Sequence, residues 1–310
     1  MTFLAKIAAE LSQAVARRRR EEIPSATQVS RLLAHGDGWR VEDLLCTCGR
    51  YDLPFVEQHA SVSIAIVLAG TFQYRTAARS TSGHLMTPGS LLLGNPGQSF
   101  ECSHDHGIGD RCLSFQFAPG YFENIAADAG TPPDERRFRA MYLPSLRELS
   151  PIVAHACAEL AGATAPRPDT CANTRWEEIG LHLAALSARM AGAARHHEPA
   201  ATPAAFARVT RAVRQFEKRP ESHPSIQCLA ADAGLSPYHF LRTFEQLTGV
   251  TPHRYIRRIR LRRAAAQLLA EGKNILDVVM DCGFGDVSNF NRAFRSEFGM
   301  SPRQFRRHDL

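Results

Sequence analysis

Between residues 39 and 118 the apolar positions gather in short runs: VEDLLCTCG, SVSIAIVLAGTFQYRT, GSLLLGN and RCLSFQF. β-branched, aromatic and leucine side chains dominate these runs. Gly70, Pro88–Gly89 and Gly94–Asn95–Pro96–Gly97 separate them. Short strands divided by tight turns, with no helical pattern between them, predict a small antiparallel barrel or sandwich and argue against a parallel sheet.

Further on, the period changes. In SLRELSPIVAHACAELAG (145–162) the residues Leu146, Leu149, Val153, Ala156 and Leu160 fall on one helical face. In TRWEEIGLHLAALSARMAG (174–192) Ile179, Leu183, Leu186 and Met190 do the same. Two helices are expected here, packed on each other, on the barrel or on a second subunit. At the start of the chain Phe3, Leu4, Ile7, Leu11 and Val15 predict a short amphipathic helix. The Arg17–Arg20 run that ends it reads as a solvated helix end or a contact to DNA or lipid. The small, polar, proline-bearing stretch at 194–205 predicts a linker, with His196 and His197 as solvated linker residues. The expected divisions are residues 1–195, a linker at 196–204 and a C-terminal domain at 205–310.

The last hundred residues contain an internal repeat. LAADAGLSPYHFLRTFEQLTGVTPHRY (229–255) aligns with VVMDCGFGDVSNFNRAFRSEFGMSPRQF (278–305). Gly234 pairs with Gly283, Phe240 with Phe290, Arg242 with Arg292 and Phe244 with Phe294. Gly249 pairs with Gly299, Pro252 with Pro302 and Tyr255 with Phe305. Each copy reads as helix, tight turn, helix. Gly234 ends the first helix of its unit, and Ser236 caps the second with Pro237 at its first position. Asp286 is the corresponding cap in the second copy. The stripes Phe240–Phe244–Leu247 and Phe290–Phe294–Phe298 predict the buried faces. Two helices joined by a short glycine-containing turn, the second polar outside, make a helix-turn-helix. Between the copies, residues 252–272 predict a long helix carrying Arg254, Arg257, Arg258, Arg260, Arg262 and Arg263.

Charge strengthens this reading. Residues 204–310 hold 18 Lys/Arg against 10 Asp/Glu, a local excess of +8, while the other 203 residues hold 19 against 21. A basic third on a near-neutral body fits a polyanion partner. No apolar run approaches the roughly 20 residues that would span a bilayer, so no membrane partner is expected. The first residues lack the charge order of a secretory signal, which points to the cytoplasm and to mostly reduced cysteines.

GLSPYHFLRTFEQLTGVTPHRYI…RLRRAAAQLL…ILDVVMDCGFGDVSNFNRAFRSEFGMSPRQFR resembles the DNA-binding domain of the AraC/XylS family of transcriptional regulators over residues 205–308. It departs from the family pattern at Val279, where Ala is usual, and at Asn289, where His is frequent. The N-terminal part resembles, more loosely, the family's cupin-like sensor barrel with dimerisation helices. The implied fold class is α+β: a cupin-like antiparallel β-barrel with two packing helices, then an all-α domain of two helix-turn-helix units joined by a long helix. The implied function is sequence-specific reading of promoter DNA under control of the sensor domain. The implied partners are double-stranded DNA, RNA polymerase, a second copy of the chain, and a small-molecule, metal or redox effector. By position the reading side chains are Tyr238, His239, Leu241 and Arg242 in the first unit and Val287, Ser288, Asn289 and Arg292 in the second. Arg242 and Arg292 suit bidentate contact to guanine, worth about 1–3 kcal/mol of discrimination. The spacer-helix arginines suit phosphates or salt bridges.

One motif stands apart. ECSHDHGIGDRC (101–112) places Cys102, His104, His106 and Cys112 around a glycine-bearing loop. These ligand types suit a transition-metal ion. A Cys102–Cys112 redox pair is the alternative, on adjacent strands of a hairpin and with the histidines and Arg111 lowering a thiol pKa. Buried structural cysteines beside solvated histidines are the third reading. Cys46 and Cys48, spaced i, i+2, should point to one face of another strand. A cupin-type metal enzyme fused to a DNA-binding tail is the rival class of function. Against it, no glutamate follows His104-x-His106 at the usual cupin distance, only Asp110, and no catalytic serine motif is present.

Overall fold

The computed structural model describes residues 3–20, 28–76, 83–139, 141–162, 169–193, 201–222, 224–269 and 273–307. In chain order, helix α1 (Phe3–Arg20) precedes strands β1 (Gln28–Gly36), β2 (Trp39–Gly49), β3 (Phe55–Gln58), β4 (Val62–Gly70) and β5 (Phe72–Thr76). Strands β6 (His84–Met86), β7 (Leu91–Gly94), β8 (Ser99–Ser103) and β9 (Ile108–Phe117) follow, then α2 (Pro119–Asp128) and β10 (Tyr142–Leu143). Every strand pairing is antiparallel.

The strands form two sheets. One has the order β1-β2-β9-β4-β7-β10 and the other β3-β8-β5-β6. No ladder joins the two sheets among the described residues, so the expected barrel is an open two-sheet one. Strand β1 escaped the sequence reading because its side chains are mostly exposed, leaving no apolar alternation to detect. In α1, Ile7, Leu11 and Val15 are buried, as the helical stripe predicts. The side chains of Phe3 and Leu4 lie outside the described residues.

Helices α3 (Ser150–Gly162) and α4 (Asp169–Ala193) are the two expected after the strands. Leu146 and Leu149 fall in and just before a short 3-10 turn instead of in α3. Helix α4 packs on α2, α3 and the sheet, while α3 lies between the N-terminal core and α8 of the C-terminal half. Residues 194–200, which hold His196, His197 and most of the expected linker, lie outside the described residues.

The C-terminal half contains α5 (Pro203–Lys218), α6 (Ile226–Asp232), α7 (Pro237–Thr248), α8 (Pro252–Leu269), α9 (Ile275–Asp281), α10 (Val287–Phe298) and α11 (Pro302–Phe305). It has two apolar cores, one per repeat. Phe216, Phe240, Phe244 and Tyr255 centre the first, which also takes in Leu85 of β6. Phe290, Phe294, Phe298 and Phe305 centre the second, which takes in Ala154 of α3. Each repeat therefore finishes its core with a side chain from the N-terminal half. No helix among the described residues is long and apolar enough to cross a membrane.

Candidate nucleic-acid interface and the cavity between the sheets

In both repeats, local chemistry fixes where the second helix begins and ends. Ser236 Oγ accepts from the His239 amide at 3.3 Å, and Asp286 Oδ1 from the Asn289 amide at 2.6 Å. Each cap satisfies an amide that has no partner within the helix. Gly249 and Gly299 end α7 and α10 in the left-handed conformation, at φ 74° and 76°. A side chain would be strained there.

These caps set the faces. Phe240, Phe244 and Leu247 turn inward on α7, as do Phe290, Phe294 and Phe298 on α10. Tyr238, His239 and Arg242 are exposed and Leu241 is half-buried, while Val287, Ser288, Asn289 and Arg292 are all exposed. All eight side chains expected to read DNA thus sit on the outer faces of the two second helices. The Arg242 guanidinium lies 5.9 Å from the centre of the Tyr238 ring, one turn away. A cation held over a ring face keeps an extended side chain ordered.

The arginines of α8 divide into two groups. Arg254 and Arg257 are exposed. Arg260 is buried and donates to the Pro220 carbonyl at 2.5 Å, to Ser222 O at 2.7 Å and to Gly283 O at 3.4 Å. It ties the turn before α6 to the turn of the second unit, so the two repeats share one bracket. Arg262 is also buried, donating to Ser145 Oγ at 2.8 Å and Ser150 Oγ at 3.2 Å in the N-terminal half. Burial, with Arg258 nearby, brings its pKa down to about 10. Arg258 donates to Glu297 at 2.6 Å and to the Ser145 carbonyl. Half the charge that marked this helix in the sequence is spent inside the protein.

Of the Arg17–Arg20 run, Arg17, Arg19 and Arg20 are exposed and Arg18 is engaged. Arg18 forms a two-pronged pair with Asp52 at 2.5 and 2.6 Å and donates to Thr47 O at 2.8 Å. Arg19 and Arg20 line a cavity of about 680 Å³ between α1, the end of β4, α5 and α8. Glu217 of α5 also lines it, and burial pushes its carboxyl up to about 8.

A second cavity, of about 410 Å³, lies between the two sheets. Cys46, His59, Cys102, His104, Asp110 and Cys112 line it. The structure does not bring the expected quartet of Cys102, His104, His106 and Cys112 together. Strands β8 and β9 do not pair; each belongs to a different sheet, so Cys102 and Cys112 approach the cavity from opposite sides. Both are free thiols, and burial pushes both well up, opposite to the lowering that a redox pair would use. Arg111 cannot lower them, because it faces Asp43 and Glu10 on the other side of the sheet. His106 is half-exposed and lines a separate surface cleft with Arg50 and Arg211.

His104 instead meets the other cysteine pair. One ligand atom from each of Cys46, Cys48 and His104 lies within 4.8 Å of the others, and all three residues are buried. Where β2 passes β9, Thr47 and Cys48 stand opposite the single residue Gly109, forming a bulge. Gly109 has φ 68°, and a Cβ there would strike the Cys46 carbonyl. Asp110 holds His104 Nε2 at 2.6 Å, while the buried Nδ1 has the Cys48 sulfur beside it. Burial opposes charge on the imidazole, but Asp110 and the Cys48 sulfur outweigh it and raise His104 to about 9. A hydrogen bond from Cys46 holds the Cys48 thiol below the ordinary thiol range, and Cys46 is raised in turn. Sequence reasoning missed His59 in the same cavity; burial brings it down to about 4. It lies alone in its loop, and no spacing marked it.

Residues 229–308 match the helix-turn-helix domain family. A RhaS transcriptional activator of Klebsiella pneumoniae is 41% identical over 78 residues, which are 25% of this chain and 28% of that protein. A RhaS activator of Citrobacter koseri is 29% identical over 197 residues, 62% of this chain and 65% of that protein. The chain thus matches less than two thirds of the length of either relative. A solved AraC-type regulator structure from Chromobacterium violaceum is 31% identical, with a TM-score of 0.30, and covers 32% of this chain and 89% of that one. The C-terminal domain of this chain belongs to the AraC type of helix-turn-helix domain.

Proposed function

We propose that the chain is a sequence-specific transcriptional regulator that reads promoter DNA with α7 and α10 and takes its signal through the N-terminal domain. The observation that carries this reading is the pairing of two matched helix-turn-helix units whose outer faces stand exposed while Arg260 brackets them together. A single helical hairpin binds nothing in particular. Two units held rigidly relative to each other can enter successive major grooves on one face of a duplex. Tyr238, His239, Leu241 and Arg242 would face one groove, and Val287, Ser288, Asn289 and Arg292 the next. Arg254 and Arg257 would meet phosphates.

The protein would act in the cytoplasm as a homodimer and contact RNA polymerase at its promoters. The cavity between the sheets would receive the effector. The RhaS relatives, named as transcriptional activators, support the regulatory reading. The relatives being named as regulators supports a sensor over an enzyme.

The test is binding of the full chain to duplexes selected from a random pool, measured against an unrelated duplex. Arg242→Ala should weaken the selected duplex by about 1–3 kcal/mol, about 5- to 150-fold, and leave the unrelated one nearly unchanged. An equal loss on both would make Arg242 a phosphate anchor.

A further inference from the structure

We propose that Cys46, Cys48 and His104 form a site for a divalent thiophilic cation, zinc(II), in the wall of the cavity between the sheets, with Asp110 as the residue that positions the imidazole. Four observations meet here. First, the three ligand atoms already lie within 4.8 Å of one another. Tetrahedral zinc with bonds of about 2.3 Å to sulfur and 2.0–2.1 Å to nitrogen places its ligands about 3.5–3.8 Å apart. The atoms therefore need to draw in by at most about 1 Å. At the bulge Thr47 and Cys48 share one partner residue on β9, so the thiols stand where the ladder is interrupted.

Second, His104 is oriented as a metal-bound histidine is. One ring nitrogen is fixed by a carboxylate, Asp110 at 2.6 Å, and the other is sealed from solvent with the Cys48 sulfur beside it. A carboxylate on the far nitrogen fixes ring orientation and raises the basicity of the ligand.

Third, the segment carrying the thiols is braced from behind. Arg18 donates to Thr47 O, between the two cysteines, and pairs with Asp52, whose carboxylate also accepts from the Gly49 amide at 2.7 Å. Both thiols are thereby held on the side facing His104.

Fourth, charge selects the ion. Two thiolates and a neutral imidazole around a divalent cation sum to zero, which burial favours. A monovalent ion in the same cage would leave a net negative charge beside Asp110. Thiolate and imidazole donors select zinc over magnesium or calcium. With three protein ligands, the fourth position opens toward the cavity of about 410 Å³, where water or an effector with a donor atom would bind.

The experiment uses the full chain, purified without a histidine tag, reduced and stripped with chelator. Zinc sulfate should load one equivalent per chain that survives gel filtration. Cobalt(II) in its place should give thiolate-to-metal charge-transfer absorption and the intense visible bands of a tetrahedral centre. Alkylation with and without zinc, read by peptide mapping, should show Cys46 and Cys48 protected and the exposed Cys228 reacting in both samples. These three readouts need no variant. Cys48→Ser should abolish the cobalt charge-transfer band, Asp110→Asn should weaken zinc about 10–100-fold, and Cys102→Ser should leave stoichiometry and affinity unchanged. Absence of the charge-transfer band in the wild type, zinc-dependent protection of cysteines other than Cys46 and Cys48, or copper(I) retained while zinc is not would each overturn the proposal.

Discussion

Glu297 is the place to test how the two halves are held together. Its carboxylate is 7% exposed and accepts from Arg258 Nε at 2.6 Å and from Ser150 Oγ at 2.6 Å. Arg258 also reaches the Ser145 carbonyl, and Arg262 shares the same two serines. One carboxylate therefore offsets two poorly hydrated guanidinium groups. At an effective dielectric of about 20, a pair of unit charges about 4 Å apart attract by about 4 kcal/mol. Removing one partner of a buried pair costs about 3–5 kcal/mol, because the remaining charge stays buried without compensation. Glu297→Ala should therefore lower the opening free energy of α3 and α10 backbone amides, measured by native-state hydrogen exchange, by about 3–5 kcal/mol. Arg258→Met in the same background should return part of the loss, since it withdraws one of the stranded cations. The expected coupling in the double-mutant cycle is about 1–3 kcal/mol. Additivity within about 0.5 kcal/mol would refute the reasoning, as would a loss confined to α10 with α3 unchanged.

Two further predictions rest on the same structure. Arg254→Gln and Arg257→Gln should weaken selected and unrelated duplexes equally and each reduce the slope of log affinity against log salt by about 1, read from binding titrations at several salt concentrations. The Glu217 carboxyl, raised by burial to about 8, holds its proton in the folded chain but loses it near 4.3 when unfolded. Its contribution to stability is full below about pH 4 and is lost as pH rises through about 8. Denaturation midpoints should fall between about pH 4 and 8 in the wild type, and Glu217→Gln should flatten that part of the profile.

The helix-turn-helix pair was legible because every level of its sequence agrees: Ser236 and Asp286 cap, Gly249 and Gly299 stop, and the phenylalanine stripes repeat at helical spacing. The destination of the α8 arginines was not legible. Arg254 and Arg262 look alike in sequence, yet one faces solvent and the other is closed in by Ser145 and Ser150, more than a hundred residues away. The Cys/His motif misled for a related reason. Nearness in sequence suggested that Cys102, His104, His106 and Cys112 act together. The β8–β9 connection instead crosses between sheets, separates the two cysteines and turns His104 toward Cys46 and Cys48. A contiguous motif reports a loop, and only the strand order reveals what the loop faces.

Two rigidly bracketed units should read one face of the same duplex. The direct measurement is affinity for a selected duplex into which about five base pairs, half a helical turn, are inserted between the two contacted blocks. This insertion should lower affinity to that of a duplex carrying one block alone, and about ten inserted base pairs should not restore it, because the bracket fixes the separation. Unchanged affinity with the half-turn insertion would contradict the claim.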